Sequence, residues 1–393
     1  MVEYKSINPE EKMKKQKSDA GLSYLKMTGL RAAKDKGSIQ KEFEGTFGKK
    51  EGGDFLADFY KLAEKGDKNS YEFKNEDYDK CMLLTGCFDA DIIRRSGNWI
   101  ANHKEYFGKK ILDVGCDCGV ISCFLGVQFP ESEIVSIDRS VNGIKIGEKL
   151  AKKLGLKNIR FVSAELKDFD EGGFDTVFSM RTAMENGFCK EDRTMEFVDQ
   201  AEAFGAAFKD YASLLASKVE ENGFLVSLEN TERDPLLLGW IDALFSGGLK
   251  AIKDGYTEFS CRELGNEVPF QTLVLKKGSE GSAMDFFTEI CEDNGDFSLG
   301  DYKGWRSKLV YEFRKGDLIE GYFITGTGAE KGSVFSLWTC IDNPDAVVFF
   351  QSHEGESFVQ LAPLKQKNIF IDVIHEVVDS AKGYTGLEVT KLQ

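Results

Sequence analysis

The spacing of apolar positions changes along this chain, and the changes divide it into segments. Residues 1 to about 75 are polar and rich in lysine and glycine, with short helices predicted around Leu22–Ala33 and Asp54–Ala63. In the second of these, Phe55, Leu56, Phe59, Tyr60 and Leu62 recur at roughly helical spacing. A stronger helical pattern runs from Tyr78 to Phe107, with Met82, Leu83, Phe88, Ile92, Ile93, Trp99 and Ile100, and leads into an apolar run at Ile111.

From there strand-like and helix-like runs alternate. Ile111–Gly115, Glu133–Asp138, Asn158–Ser163 and Phe174–Ser179 read as buried strands, and Val120–Gln128 and Val141–Leu154 read as the helices joining the first three. A long helix over Asp192–Val219 places Val198, Ala201, Phe204, Phe208, Tyr211 and Leu215 on one stripe, and Asn222-Gly223 is expected to end it. Phe224–Leu228 supplies a fifth strand, and Asp234-Pro235 opens a helix through Phe245 as N-cap and first helical residue. Tyr256–Arg262 and Val268–Leu275 follow with no helix between them, which predicts an antiparallel hairpin. Strands alternating with helices imply a mostly parallel sheet covered on both faces.

After Gly278 the alternation stops. A helix over Met284–Cys291 precedes β-like runs at Leu309–Phe313, Leu318–Ile324, Val334–Thr339, Ala346–Phe350 and Phe358–Leu361, and Asn368–Ala381 reads as an amphipathic helix. The expected organisation is an N-terminal helical, lysine-rich and partly flexible segment (residues 1–79), an α/β core (80–278) and a C-terminal α+β domain (279–393).

Composition narrows the function classes. The 393 residues, 41% of them hydrophobic, suffice for a sizeable core. No apolar run approaches the ~20 residues needed to span a bilayer, and the first residues carry no apolar signal core, so a cytoplasmic protein without a membrane association is expected. A net charge of -15 argues against a nucleic-acid partner, whose affinity rests on neutralising phosphates. Lys12, Lys14, Lys15 and Lys17 run the other way and read as a solvated tail. Nine cysteines lie scattered without a C-x-x-C pair, and His103, His353 and His375 lie far apart, so no metal site is expected and the thiols are read as reduced.

The candidate chemistry centres on Lys110-Ile-Leu-Asp113-Val-Gly115-Cys116-Asp117-Cys-Gly119-Val120. An apolar strand carries a carboxylate and breaks into a glycine-containing turn that opens a helix. In a G-x-G-x-x-G dinucleotide turn, three glycines bring a pyrophosphate to a helix N-terminus. Here Asp117 and Val120 occupy the second and third glycine places, and Asp113 faces the same pocket. Carboxylates oppose a pyrophosphate and favour an ammonium.

These residues resemble motif I of the class I S-adenosylmethionine (SAM)-dependent methyltransferases, acidic-x-Gly-x-Gly-x-Gly. Asp113, Gly115 and Gly119 match, and Asp117 stands at the middle glycine, a place that Asp tolerates in a left-handed backbone. The order of elements over residues 80–278 also looks like that family's seven-stranded core, whose last strand inserts antiparallel to the others.

The resemblance implies SAM as cofactor. Asp113 would hold the methionine ammonium, while Gly115, Cys116 and Gly119 form the turn beside it. Asp138, ending the second strand, would receive the ribose hydroxyls, a role shared with NAD enzymes, or else cap the following helix. Arg139 would line the adenine. Glu165, weighted over Asp168, would accept from the adenine amine while the backbone N–H of a neighbour such as Ala164 meets the ring. At the fourth strand end, Ser179-Met-Arg181-Thr-Ala-Met-Glu185-Asn186 lacks the Asn/Asp-Pro-Pro-aromatic motif of adenine-N6, cytosine-N4 and glutamine methylation. Arg181 can pair with a substrate acid or phosphate there, and Glu185 can act as a general base or stay solvated. No catalytic residue is assigned, His103 included.

The expected activity is methyl transfer to a small molecule, with a protein side chain as second choice. The terminal segments would shape the substrate pocket or join two copies in a homodimer. Two other classes stay open: an inactive relative acting as an interaction module, and, less favoured, an NAD-dependent oxidoreductase.

Overall fold

The computed structural model describes residues 19–65, 69–187, 197–231, 235–278, 281–293, 297–298, 316–326, 332–340, 343–353 and 356–393. Helices come first: α1 (Ala20–Thr28), α2 (Lys36–Phe47), α3 (Lys49–Glu64), α4 (Asn69–Lys74) and α5 (Tyr78–Asn102). Short acidic side chains start three of them. Asp19 accepts the N–H of Leu22, Asp35 that of Ser38, and Asp77 those of Asp79 and Lys80, which satisfies backbone donors the first turn leaves free. The long α5 buries Cys81, Leu84, Cys87, Ile92, Ile93 and Ile100 along its length, which makes it the element joining the N-terminal helices to the sheet.

The sheet follows in alternation. Its elements are β1 (Lys110–Val114), α6 (Val120–Gln128), β2 (Glu133–Asp138), α7 (Val141–Leu154), β3 (Ile159–Ser163), β4 (Phe174–Met180), α8 (Ala183–Asn186) and α9 (Phe197–Lys218). Then come β5 (Val219–Glu229), α10 (Pro235–Ser246), β6 (Leu249–Glu263) and β7 (Asn266–Lys277). The seven strands order as β3-β2-β1-β4-β5-β7-β6. The first five run parallel and β7 is antiparallel to both β5 and β6, so the hairpin expected from Tyr256–Leu275 closes the sheet. The central strands are apolar without alternation because helices cover both faces. Ile111, Leu112, Ile134, Val135, Val177 and Phe178 are all fully buried, and each such side chain is worth about 1.5–3 kcal/mol in burial.

One local expectation fails. Asn222-Gly223 does not end the long helix; α9 stops at Lys218 and the chain enters β5 at Val219. Asn222, at φ 69°, lies inside the strand, where pairing with β4 slips from Phe174↔Val219 to Thr176↔Phe224. Asn and Gly permit a kink of this kind as readily as a helix stop. Asp234 and residues 192–196 of the expected long helix lie outside the described residues.

Beyond α11 (Ala283–Asp293), a second sheet holds β8 (Phe297–Ser298), β9 (Leu318–Gly326), β10 (Gly332–Cys340), β11 (Asn343–His353), β12 (Glu356–Pro363) and β13 (Leu387–Lys391) in the order β13-β9-β10-β11-β12-β8. The helix α12 (Lys367–Lys382) lies on one face, burying Phe370, Ile374 and Val378 against Val347 and Phe349. The alternate residues Ala346, Val348 and Phe350 of the same strand join the cluster that contains Met284 and Phe287 of α11. The expected run Leu309–Phe313 falls outside the described residues. No helix among the described residues is long and apolar enough to cross a membrane.

Candidate active site

The order of strands reverses between β1 and β4, and a crevice beyond the carboxyl ends of these strands is where open α/β sheets bind ligands. Asp113, Asp138, the 163–165 segment and the 180–185 segment all come to this edge because they end parallel neighbours in one sheet.

The turn after β1 is built from the inside. Gly115 and Gly119 have φ of 75° and 73°, and Asp117, at 47°, takes the left-handed backbone expected of it. A Cβ on Gly115 would lie 2.5 Å from Thr182 Cγ2, and one on Gly119 2.6 Å from the Phe161 ring and 2.8 Å from the Gly147 Cα. Both glycines thus let neighbouring elements approach: the loop after β4 in one case, and β3 with α7 in the other.

The N–H groups of this turn point into the protein. Those of Gly115 and Cys116 donate to the Ile137 carbonyl (2.9 and 3.1 Å), that of Gly119 to the Cys116 carbonyl (2.8 Å), and that of Asp117 to Asp138 Oδ2 (2.8 Å). A pyrophosphate at this turn would meet the carboxylates of Asp113 and Asp138 and none of these four N–H groups. The same set suits an ammonium and hydroxyls, which is the chemistry of a SAM nucleoside and its methionine.

Asp113 is 3% exposed, and Ser122 Oγ donates to its Oδ2 at 2.5 Å. Burial, opposed by that hydrogen bond and aided by the nearby Asp138, pushes its carboxyl up to about 7. Asp138 accepts the N–H of Ser140 on Oδ1 (2.7 Å) as well as that of Asp117 on Oδ2. Burial raises its pKa too, and the N-cap of α7 is Ser140 instead, through the Gly143 N–H. The Ala164 N–H donates to the Asp138 carbonyl (2.9 Å). Glu165 is exposed and pairs with Lys167 at 2.7 Å, and Arg139 lies 3.6 Å from Glu185. His103 stacks on Trp99 and Tyr106 at the entrance to β1, the opposite end of the strand from the crevice.

At the end of β4, Arg181 also has a left-handed backbone (φ 58°), and its guanidinium is held by Asp89 of α5 at 3.0 Å. A substrate acid would therefore share this guanidinium with Asp89. Sequence reading missed Glu229, the last residue of β5. It is buried, accepts the N–H groups of Thr182 (3.1 Å) and Ala183 (3.2 Å), and is pushed up to about 8 by burial. Tyr211 donates to Thr182 Oγ1 at 2.7 Å, so α9 supports the same loop. The available signal was an acid closing an otherwise apolar strand. Also missed were Tyr71, Lys74 and Asn75 of the N-terminal segment, which reach Glu185 and Asp117.

Residues 107–233 match the model of a family described as a methyltransferase domain. The seven-stranded unit has the class I SAM-dependent methyltransferase fold. Two curated relatives match part of this chain. An uncharacterized Rickettsia prowazekii protein, RP028, is 36% identical over 70 residues, 17% of this chain and 28% of that protein. The ribosomal RNA small subunit methyltransferase G of Chlorobaculum tepidum is 26% identical over 146 residues, 35% of this chain and 63% of that protein. The chain thus spans less than two thirds of either relative. Among solved structures, the magnesium protoporphyrin IX methyltransferase of Synechocystis with bound SAM is 15% identical, with a TM-score of 0.32, over 47% of this chain and 77% of that one.

Proposed function

We propose that this chain is a SAM-dependent methyltransferase acting on a small molecule. The observation that carries the reading is the glycine turn whose N–H groups at Gly115, Cys116, Asp117 and Gly119 are used internally, with the carboxylates of Asp113 and Asp138 beside it as acceptors for an ammonium and for hydroxyls. Bound there, SAM would supply a methyl carbon activated by its sulfonium for displacement by an acceptor heteroatom.

The chain's own residues would bind and align. Asp113 receives the methionine ammonium beside the turn of Gly115, Cys116 and Gly119, and Asp138 receives the ribose hydroxyls on the lone pairs left by its two N–H partners. Arg139, Ala164 and Glu165 line the adenine side. The loop of Thr182–Glu185, supported by Glu229 and Tyr211, faces the acceptor. Alignment and exclusion of water are the protein's main contributions to such a displacement, and a base is needed only when the acceptor arrives protonated.

One relative is named for ribosomal RNA, but a net charge of -15 opposes a polyanionic substrate and favours a small molecule. We take residues 1–79 and 279–393 as segments flanking the catalytic core, shaping the substrate pocket or joining two copies, in a cytoplasmic protein. The left-handed backbone that Asp117 takes supports an active enzyme over an inactive relative.

Calorimetry with SAM and, separately, NADH tests the cofactor. SAM should bind, NADH should not, and Asp113→Ala should lose most of the SAM affinity. Incubation with methyl-labelled SAM and a metabolite extract tests turnover; binding without label transfer to any acceptor would contradict catalysis.

A further inference from the structure

We propose that Asn69–Asn75 is a brace that holds the cofactor crevice in shape, with Tyr71 and Lys74 as positioning residues. This inference rests on the methyltransferase reading above. Side chains of this one segment reach three separate loops at the carboxyl edge of the sheet. The Lys74 ammonium pairs with Asp117, and Asn75 Nδ2 donates to Asp117 Oδ1 at 2.8 Å, so the turn after β1 is gripped from outside the core. Glu72 accepts the N–H groups of Val141 (2.7 Å) and Asn142 (3.3 Å), at the start of the helix that follows Asp138 and Arg139. Tyr71 donates its hydroxyl to Glu185 Oε1 at 2.8 Å, in the loop after β4. The loops meant for the ammonium, the ribose and the acceptor are thereby tied to a single six-residue helix.

The departure from the glycine motif gains a physical account in this way. A glycine at position 117 would take the left-handed turn freely but would offer nothing to hold. Asp117 takes the same backbone and lends a carboxylate that α4 can seize. The Lys74 side chain is buried, and burial disfavours its charge, but the groups around it, Asp117 first and Cys118, Cys81 and Asp89 after it, together outweigh this and keep the pKa above the usual lysine range. A buried ion pair of this kind adds little net stability over apolar packing of the same volume. What it fixes is where α4 sits on the turn. Removing Lys74 therefore leaves the half-buried Asp117 carboxylate without its cation and loosens the turn, whereas removing the Tyr71 hydroxyl loosens only the segment after β4.

Hydrogen exchange on the ligand-free full chain and SAM binding kinetics by surface plasmon resonance test this together. Lys74→Met should deprotect the 115–119 segment, and Glu72→Gln the 140–143 segment. Lys74→Met should raise the SAM dissociation rate about ten-fold, the scale of a lost charged hydrogen bond, and Lys74→Arg should restore it. Tyr71→Phe, which keeps the ring packing, should raise that rate about three-fold with an unchanged melting temperature, the scale of a lost hydrogen bond to a solvent-exposed carboxylate. Unchanged exchange in every variant, or altered exchange with unchanged SAM rates, would overturn the brace while leaving the cofactor reading intact. Failure of the unaltered chain to bind SAM would sink that reading, and this role with it.

Discussion

With Asp113 as the proposed partner of the methionine ammonium, its raised pKa would make SAM affinity a function of pH. Burial pushes this carboxyl from an ordinary 3.8 up to about 7, so the ligand-free site is largely protonated in mildly acidic solution. An ammonium is attracted only to the ionised form, and its arrival must expel the proton. For a group titrating near 7, the ionised fraction rises from ~3% at pH 5.5 to ~50% at pH 7. The SAM association constant should therefore rise about 15-fold over that interval, or ~1.6 kcal/mol. Calorimetry at pH 5.5, 6.0, 6.5 and 7.0 in buffers of differing ionisation enthalpy measures both the slope and the released proton. Asp113→Asn should weaken binding at pH 7 and remove most of the slope. Equal affinity at both ends of the range, or an undiminished slope in Asp113→Asn, would refute the reasoning.

Three further outcomes concern the fold. Glu229 is raised from 4.5 to about 8, so its folded form binds a proton more tightly than its unfolded form. Its contribution to stability is complete below about pH 4.5 and fades as pH rises through about 8. Melting temperatures should show Glu229→Gln gaining on the unaltered chain between pH 5 and 8, and a constant difference would contradict this. Gly119→Ala would force a Cβ to 2.6 Å from Phe161 at a positive φ, and urea denaturation should show a loss of about 1–3 kcal/mol. Phe178→Ala empties a fully buried site on the central strand β4 and should cost about 3–5 kcal/mol in the same assay.

The parts of the fold legible in the sequence are those whose burial is written as local periodicity. Short, mostly apolar runs at Ile111, Ile134 and Phe174 locate the parallel strands because both faces of the sheet are covered. The stripe of Phe370, Ile374 and Val378 gives α12, with Ile369 and Val373 left exposed. Local chemistry misleads where one signal serves two geometries, as Asn222-Gly223 shows: a stop for a helix and a kink in a strand use the same residues. The strand Leu387–Lys391 passed unseen because it is short and largely exposed, held by pairing with β9 and not by its own pattern.

Within the candidate site, the carboxylates at strand ends could be read because topology alone carries them to one edge. Their partners could not. Lys74 and Asn75 lie more than forty residues before Asp117, in a stretch without apolar periodicity, and only the folded chain brings them together. The glycines could be located but not explained, since Gly119 serves the packing of Phe161 and Gly147 as much as any ligand.

A crystal structure of the full chain with S-adenosylhomocysteine, the demethylated cofactor, tests the central claim most directly. The account predicts the amino group on Asp113, the ribose hydroxyls on Asp138 and the adenine beside Arg139 and Ala164. A nucleoside found elsewhere, or lying in the crevice with those carboxylates turned away from it, would contradict it.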